Sequence, residues 1–325
     1  MLRSVDIRVE CWPLRAPFRI ARGTRTDIAV VVVTIGEGGV AGRGEGTPSA
    51  RYGETPESVR MQIEAAMPAL QAGCDRAALR ALMPPGSARN AIDAALWDLE
   101  ARQARNIAPV LPPLTSAQTV SIDRPEAMAR AAHKLVRAGL VKVKVDAADP
   151  EACLRAVRCS LPDTTLIVDA NEAWTMPLLV AMQPVLAELG IALLEQPLPA
   201  GQDGALAGFT AQVPICADES CHVAADVARL RGLYRFVNIK LDKTGGLTEA
   251  LALYDAARAA GMGVMVGCML ATSLGIAPAL RIAARADFVD VDGPWWLLED
   301  RPGGLRVLDD GVVVPPQPGF WGGIA

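Results

Sequence analysis

The sequence is short of several residue types on which enzymes often rely. It has two histidines, His133 and His222, and only 4% of its residues are aromatic. Neither histidine has a partner pattern. His222 follows Cys216 and Cys221 at a spacing that fits no zinc site, so both histidines read as structural. The seven cysteines are an odd number and form no C-x-x-C pair. That argues against a disulfide framework and for reduced, mostly buried thiols in a cytoplasmic protein. Basic residues are outnumbered, 32 against 36 acidic, for a net charge of −4. No basic footprint therefore points to nucleic acid. No apolar run reaches the roughly 18–20 residues of a membrane span. The N-terminus alternates like a strand and lacks the apolar core of a signal peptide.

What is present is a large apolar fraction, 51% of 325 residues. That suits a barrel with a smaller second domain. Residues 4–11, 29–35 and 40–47 read as strands, with a glycine-rich hairpin turn at 36–39. The basic stretch 17–26 and the stretch 47–55 read as loops. Helices are expected at 55–72, opened by Thr55-Pro56, at 75–82 and at 87–105. Residues 106–117, with three prolines, read as a linker. From 118 onward strand and helix alternate. Strands fall near 118–122, 141–145, 165–169, 191–195, 213–217, 236–240, 263–267 and 287–291. Helices fall near 125–138, 151–160, 176–189, 203–211, 223–231, 247–260 and 273–285. Short, apolar, β-branched strands are what a parallel sheet buried on both faces needs. The pattern fits a TIM-type barrel. A doubly wound sheet is the rival, but no Gly-rich phosphate loop follows the first strand. In the tail, 305–308 and 312–314 look like strands returning to the N-terminal unit. Trp295 and Trp296 are expected to cover the barrel or its contact with the tail.

Chemistry in such a barrel sits at the C-terminal strand ends. There the sequence places Lys142 and Lys144, then Asp169, Glu195 and Asp218 on three successive strands, then Lys240. Like charges converging raise each other's pKa unless a cation compensates them. Asp169, Glu195 and Asp218 thus read as ligands for Mg²⁺, with Mn²⁺ an acceptable substitute. The second and sixth strands are opposite in a ring of eight. Lys144 and Lys240 are expected to face each other across a substrate, as two bases on opposite sides of one carbon. Lys142, a like charge on the same face as Lys144, is expected to lower the Lys144 pKa. The blander readings are a paired or solvated lysine and an acid that merely caps a helix. They suit Asp242, Asp290 or Asp292 taken singly, but not six residues at five successive strand ends. Cys268, at a seventh strand end, reads more readily as a packed thiol than a nucleophile.

These motifs are Val141-Lys142-Val143-Lys144, Val168-Asp169-Ala170-Asn171, Leu194-Glu195-Gln196-Pro197, Ala217-Asp218-Glu219-Ser220 and Asn238-Ile239-Lys240 with Gly245-Gly246 beyond. Together they resemble the enolase superfamily, muconate-lactonising-enzyme subgroup, over the whole chain. The resemblance implies an α/β fold: a modified (β/α)7β barrel with an α+β capping domain. Residues 1–112 would form the cap, 113–292 the barrel and 293–325 a segment returning to the cap. It also implies the same metal and lysine roles, with Lys142 and Asn171 supporting. Within the subgroup the chain most resembles dipeptide epimerases of the L-Ala-D/L-Glu type. That likeness implies a dipeptide substrate from cell-wall peptide, its ammonium held by Asp290 and Asp292. Arg22 or Arg25 would meet its acidic side chain, and Tyr52 and Cys268 would lie nearby. A homo-oligomer is compatible with this reading. Two alternatives stay open. One is a sister reaction on the same scaffold: N-acylamino-acid racemisation, o-succinylbenzoate synthesis or cycloisomerisation. The other is a silent metal-binding barrel.

Overall fold

The computed structural model describes residues 2–20, 23–107 and 111–324. Strands β1 (Ser4–Ile20) and β2 (Gly23–Glu37) form a long antiparallel hairpin, and β3 (Val40–Gly46) joins the other edge of β2. The expected loop at 17–26 is instead the far end of this hairpin, where Phe18 pairs with Arg25. Pro13 and Pro17 lack an N–H, and the register shifts between Pro13 and Phe18 rather than the strand ending. Arg22 lies outside the described residues.

Successive side chains of β2 point to opposite faces, and both faces are covered. Val31, Val33 and Ile35 pack with helices α1 (Pro56–Gln71), α2 (Arg76–Leu82) and α3 (Ser87–Gln103). Ile28, Val30 and Val32 join the core shared with the barrel. Strand β3 lies flat on α3 because it carries glycine at alternate positions. A Cβ at Gly44 would sit 2.1 Å from the Ala91 carbonyl oxygen, and one at Gly42 2.2 Å from the Leu99 nitrogen.

After β4 (Leu114–Thr115) come eight parallel strands: β5 (Gln118–Val120), β6 (Leu140–Lys144), β7 (Thr165–Asp169), β8 (Ile191–Glu195), β9 (Ile215–Ala217), β10 (Phe236–Ile239), β11 (Gly263–Gly267) and β12 (Phe288–Asp290). They neighbour one another in chain order. The Ala117 N–H donates to the Val289 carbonyl at 2.8 Å, which brings the last strand to the first. Outside lie α4 (Pro125–His133), α5 (Pro150–Ser160), α6 (Met176–Glu188), α7 (Val227–Leu230), α8 (Leu241–Thr244), α9 (Leu247–Ala259), α10 (Ser273–Ile276) and α11 (Leu280–Ala283).

Four expected helices are shorter than their patterns, one of them 125–138, which ends at His133. The segment 203–211 makes one 3-10 turn, Asp203–Leu206, before Gly208 turns left-handed at φ 75°. The segment 223–231 is a 3-10 turn, Ala224–Asp226, running into α7. The segment 273–285 splits into α10 and α11 around Pro278, which has no N–H to continue a helix. After β12 comes a 3-10 turn, Gly293–Trp296, in place of a helix, so the barrel is a (β/α)7β one.

In the tail, β13 (Arg306–Val307) pairs with β14 (Val312–Val314), and β14 pairs with β4 rather than with the N-terminal sheet. The final stretch does reach the cap. Trp321 Nε1 donates to the Arg43 and Ala94 carbonyls at 3.1 and 3.2 Å. Helix α3 ties the cap to the barrel where it matters for the site. Arg89 donates to the Thr244 and Gly245 carbonyls at the end of α8, groups the helix itself cannot satisfy. Asp93 accepts from the Thr248 N–H at the start of α9.

Candidate active site

Inside the barrel, Ala117, Leu140, Ile167, Leu193, Cys216 and Met265 form an apolar floor. Two positions further along a strand, the side chain points to the same face. That step puts Lys142 above Leu140, Asp169 above Ile167, Glu195 above Leu193 and Asp218 above Cys216. Lys144 stands two positions beyond Lys142, and Asn238 and Lys240 come from β10. All are buried. Above them is a cavity of about 610 Å³. Lys142, Lys144, Asn171, Asp218, Lys240, Cys268, Asp290 and Asp292 line its barrel side. Phe18, Arg25, Arg51 and Tyr52 of the cap close it from above. Asp169 and Glu195, in register with Lys144, are not among the lining residues.

The acids are bridged by lysines. Lys142 Nζ lies 3.0 Å from Asp169 Oδ2, 2.7 Å from Glu195 Oε2 and 2.8 Å from Asp290 Oδ2. Lys144 Nζ is 2.5 Å from Asp169 Oδ2 and donates to Asn171 Oδ1 at 3.1 Å. Lys240 Nζ donates to Asp218 Oδ2 at 2.6 Å. A fourth lysine, Lys243, donates to Asp218 Oδ1 at 2.6 Å and to the carbonyls of Asn238 and Asp218.

Each acid has one oxygen held from behind. Asp169 Oδ1 accepts from the Asn171 N–H at 2.8 Å, Glu195 Oε1 from Asn238 Nδ2 at 2.9 Å, and Asp218 Oδ1 from Lys243. The other oxygen of each faces the lysines named first.

Electrostatics follow from burial and these pairs. Burial opposes ionisation of Asp169 and Asp218, but Lys142 and Lys144 at the first, and Lys240 and Lys243 at the second, hold both well below the usual carboxylate range. Burial also opposes charge on Lys142 and Lys240, yet the acids around them raise both well above the ordinary lysine value. Glu195 differs. Burial, then the neighbouring Asp169, push it up to about 8. Its Oε2 accepts no hydrogen bond, although the Lys142 ammonium is close. Glu195 is thus the acid whose charge is least compensated. Asp292 is pushed up to about 7 by burial and by Asp290 beside it.

Among the described residues, no three acid, histidine or cysteine groups already surround a metal-sized point. The donor set nonetheless fits a hard cation. Oxygens of Asp169, Glu195 and Asp290 converge within 3.0 Å of one ammonium, so the barrel gathers hard oxygen donors around positive charge.

Other expected residues fall as follows. Asp290 Oδ1 has no hydrogen-bond partner. Asp292 Oδ2 accepts from the Thr119 N–H and from Trp296 Nε1. Asp242 is no helix cap. It is buried and accepts from the Thr47 N–H and Asn90 Nδ2, both in the cap. His222 packs edge-on against Tyr52, and its Nε2 lies 3.2 Å from the Glu219 carbonyl. The cysteines are less buried than expected: Cys216 and Cys221 are buried, but Cys11 and Cys159 are exposed. Sequence reasoning missed Asn238, Lys243 and Arg51. Asn238 had a signal, since it shares a strand face with Lys240. No helix among the described residues is long and apolar enough to cross a membrane.

Fold and site together define a class: a capped (β/α)7β barrel of the enolase type, with acids on three successive strands flanked by lysines. The chain belongs to the mandelate racemase/muconate lactonizing enzyme family, whose N-terminal domain matches residues 2–110, and an enolase C-terminal domain-like unit matches 127–321. It is 50% identical to the L-Ala-D/L-Glu epimerase of Escherichia coli K12, over 92% of this chain and 96% of that protein. It is 42% identical to an N-acetyl-D-glutamate racemase of Pseudoalteromonas, over 90% and 95%. Among solved structures it resembles an enolase family member from Agrobacterium tumefaciens with homology to dipeptide epimerases, which holds sodium and L-Ala-L-Glu. That match has a TM-score of 0.95 and 45% identity, covering 98% of this chain and 99% of the other. A dipeptide epimerase from Enterococcus faecalis, complexed with Mg and L-Leu-L-Tyr, matches at TM-score 0.90 and 30% identity, covering 98% of each chain.

Proposed function

We propose that the protein is a metal-dependent dipeptide epimerase that inverts the α-carbon of the second residue of L-Ala-L-Glu or L-Ala-D-Glu. The observation that carries this is the pair Lys144 and Lys240. They come from the second and sixth strands of the eight and end in the same cavity. One removes the α-proton from one face, and the other delivers a proton to the opposite face. Asn171 Oδ1 steers Lys144, and the Asp218 side chain steers Lys240. Asp169, Glu195 and Asp218 would hold Mg²⁺. Bound there, the ion supplies positive charge against the negative charge that develops on the substrate carboxylate. Asp290 Oδ1, buried and without a partner, suits the α-ammonium of a dipeptide, with Asp292 beside it. Arg25 on the hairpin suits the glutamate side chain. The substrate would be a fragment of cell-wall peptide, handled in the cytoplasm.

The Pseudoalteromonas relative supports a second reading, racemisation of an N-acylated glutamate. That substrate brings no ammonium to Asp290. Incubation with Mg²⁺ and L-Ala-L-Glu in deuterated water, followed by NMR of the glutamate α-proton, tests the first reading. Loss of that signal with appearance of the L,D epimer is expected. Exchange of N-acetylglutamate with no exchange of any dipeptide would reverse the assignment.

A further inference from the structure

We infer that Asn238 and Lys243 are positioning residues that make Glu195 and Asp218 present one oxygen each to the metal ion. This rests on the function proposed above and adds to it two residues outside the metal and lysine sets.

Asn238 is fully buried on β10. Its Nδ2 donates to Glu195 Oε1 at 2.9 Å, and its Oδ1 has no partner. The amide is boxed in. A Cβ at Gly267 on the next strand would lie 2.9 Å from Nδ2 and 2.7 Å from Oδ1. Turning the amide over would aim Oδ1 at the carboxylate, which is repulsive, so the observed orientation is the one the site permits.

Lys243 is also fully buried, and its three N–H donors have three acceptors: Asp218 Oδ1, the Asp218 carbonyl and the Asn238 carbonyl. Lys142, Lys144 and Lys240 line the cavity, whereas Lys243 does not. Its charge is committed to the scaffold. The two residues act as one unit, because the Asn238 backbone anchors the lysine while its side chain holds Glu195. Asp169 needs no such side chain, since the Asn171 N–H holds its Oδ1.

With Oε1 and Oδ1 engaged from behind, Glu195 and Asp218 offer Oε2 and Oδ2. Mg²⁺ demands near-ideal octahedral geometry and favours single-oxygen carboxylate contacts, whereas Ca²⁺ readily takes both oxygens. The clamps therefore favour Mg²⁺.

The test is Asn238→Ala in the full-length protein. Mg²⁺ and Ca²⁺ dissociation constants are measured by titration calorimetry, and the thermal midpoint in EDTA is read alongside. The expected result is Mg²⁺ affinity weakened by about 10–100-fold, as is usual when a residue behind a metal ligand is removed. Ca²⁺ affinity should fall less, and the midpoint in EDTA should stay within a few degrees. Mg²⁺ affinity within twofold of wild type overturns the inference. So does a loss of affinity fully matched by a fall in the EDTA midpoint. Lys243→Arg gives a second measure, since a retained charge with altered geometry should weaken Mg²⁺ without abolishing it; unchanged Mg²⁺ affinity counts against the clamp. Wild-type protein that binds Mg²⁺ but epimerises nothing would sink the proposed function and leave the clamp intact. Wild-type protein that binds no divalent cation would sink both.

Discussion

Arg51 reaches from the cap to the barrel and grips Glu172 with two parallel donors, Nε to Oε2 at 2.6 Å and an Nη to Oε1 at 2.7 Å. Glu172 also accepts from the Ala200 N–H, and its backbone is left-handed at φ 68°. Arg51 lines the cavity, and the pair joins the stretch that carries Tyr52 to the turn beyond β7. Arg51 is over a third exposed, so the pair stabilises the fold by about 1 kcal/mol or less. Arg51→Ala should shift the thermal midpoint by no more than a few degrees. The larger effect should be on KM for the dipeptide, several-fold upward, as the mouth loosens. A changed midpoint with unchanged KM would show the pair to be structural only.

Lys144 and Lys240 should be separable by exchange experiments. In the proposed mechanism each handles one face of the α-carbon, so Lys240→Ala should stop epimerisation yet leave solvent exchange of one epimer. Lys144→Ala should leave exchange of the other. The loss of epimerisation should be at least about 100-fold, the lower end for a removed general acid or base. The measurement is α-proton exchange in deuterated water, started from L-Ala-L-Glu and from L-Ala-D-Glu. Exchange of both epimers at wild-type rates in either variant would rule out two bases.

Asp292 offers a test of amine recognition. Asp292→Asn keeps an oxygen for the Thr119 N–H and Trp296 Nε1 but removes the charge. A charge-assisted hydrogen bond contributes about 1.5–3 kcal/mol, which is roughly 10–100-fold in KM. The KM for L-Ala-L-Glu should rise by that order, and activity on N-acetylglutamate should not fall. Equal losses on both substrates would mean that Asp292 does not read the amine.

Much of this was legible because barrel strands repeat one physical rule. Several carry an apolar floor residue and, two positions on, a polar residue of the site. Leu193-Leu194-Glu195 shows the pattern as plainly in the sequence as in the fold. What the sequence hid were contacts made across large separations. Nothing near Asp242 announces that Thr47 and Asn90 will meet it. Lys243 looks like a solvated turn lysine until β9 brings Asp218 against it. The hairpin end at 17–26 was obscured by Pro17 and by arginines, and its pairing depends on cross-strand partners rather than on local preference. The tail strand β14 pairs with β4, a two-residue partner too short to show periodicity.

Gly267 should be intolerant of any side chain, for a reason confined to the site. A Cβ there would lie 2.7 Å from Asn238 Oδ1 and 3.1 Å from Lys240 Cε. Gly267→Ala should leave far-ultraviolet circular dichroism unchanged but cut turnover by at least about 10-fold, as displaced catalytic groups commonly do. Wild-type turnover would mean that Asn238 and Lys240 move aside without consequence.

Asp242 should give the protein a pH dependence that runs against the usual acid lability. Burial raises its carboxyl to about 7, above the ordinary 3.8, despite hydrogen bonds from Thr47 and Asn90. Between those values the folded state holds a proton that the unfolded state has lost. The contribution of Asp242 to stability therefore falls as pH rises from about 4 to 7, and the destabilisation is complete above that. Its full size is on the order of 4 kcal/mol, since each tenfold difference in proton affinity between the two states is worth about 1.4 kcal/mol. Asp242→Asn keeps an acceptor for the Thr47 N–H and for Asn90 while removing the charge. The variant should be more stable than wild type at pH 8, and the difference should shrink toward pH 5. Urea unfolding at the two pH values checks this. A variant less stable at pH 8 would mean that the ionised carboxylate is compensated within the cap–barrel contact.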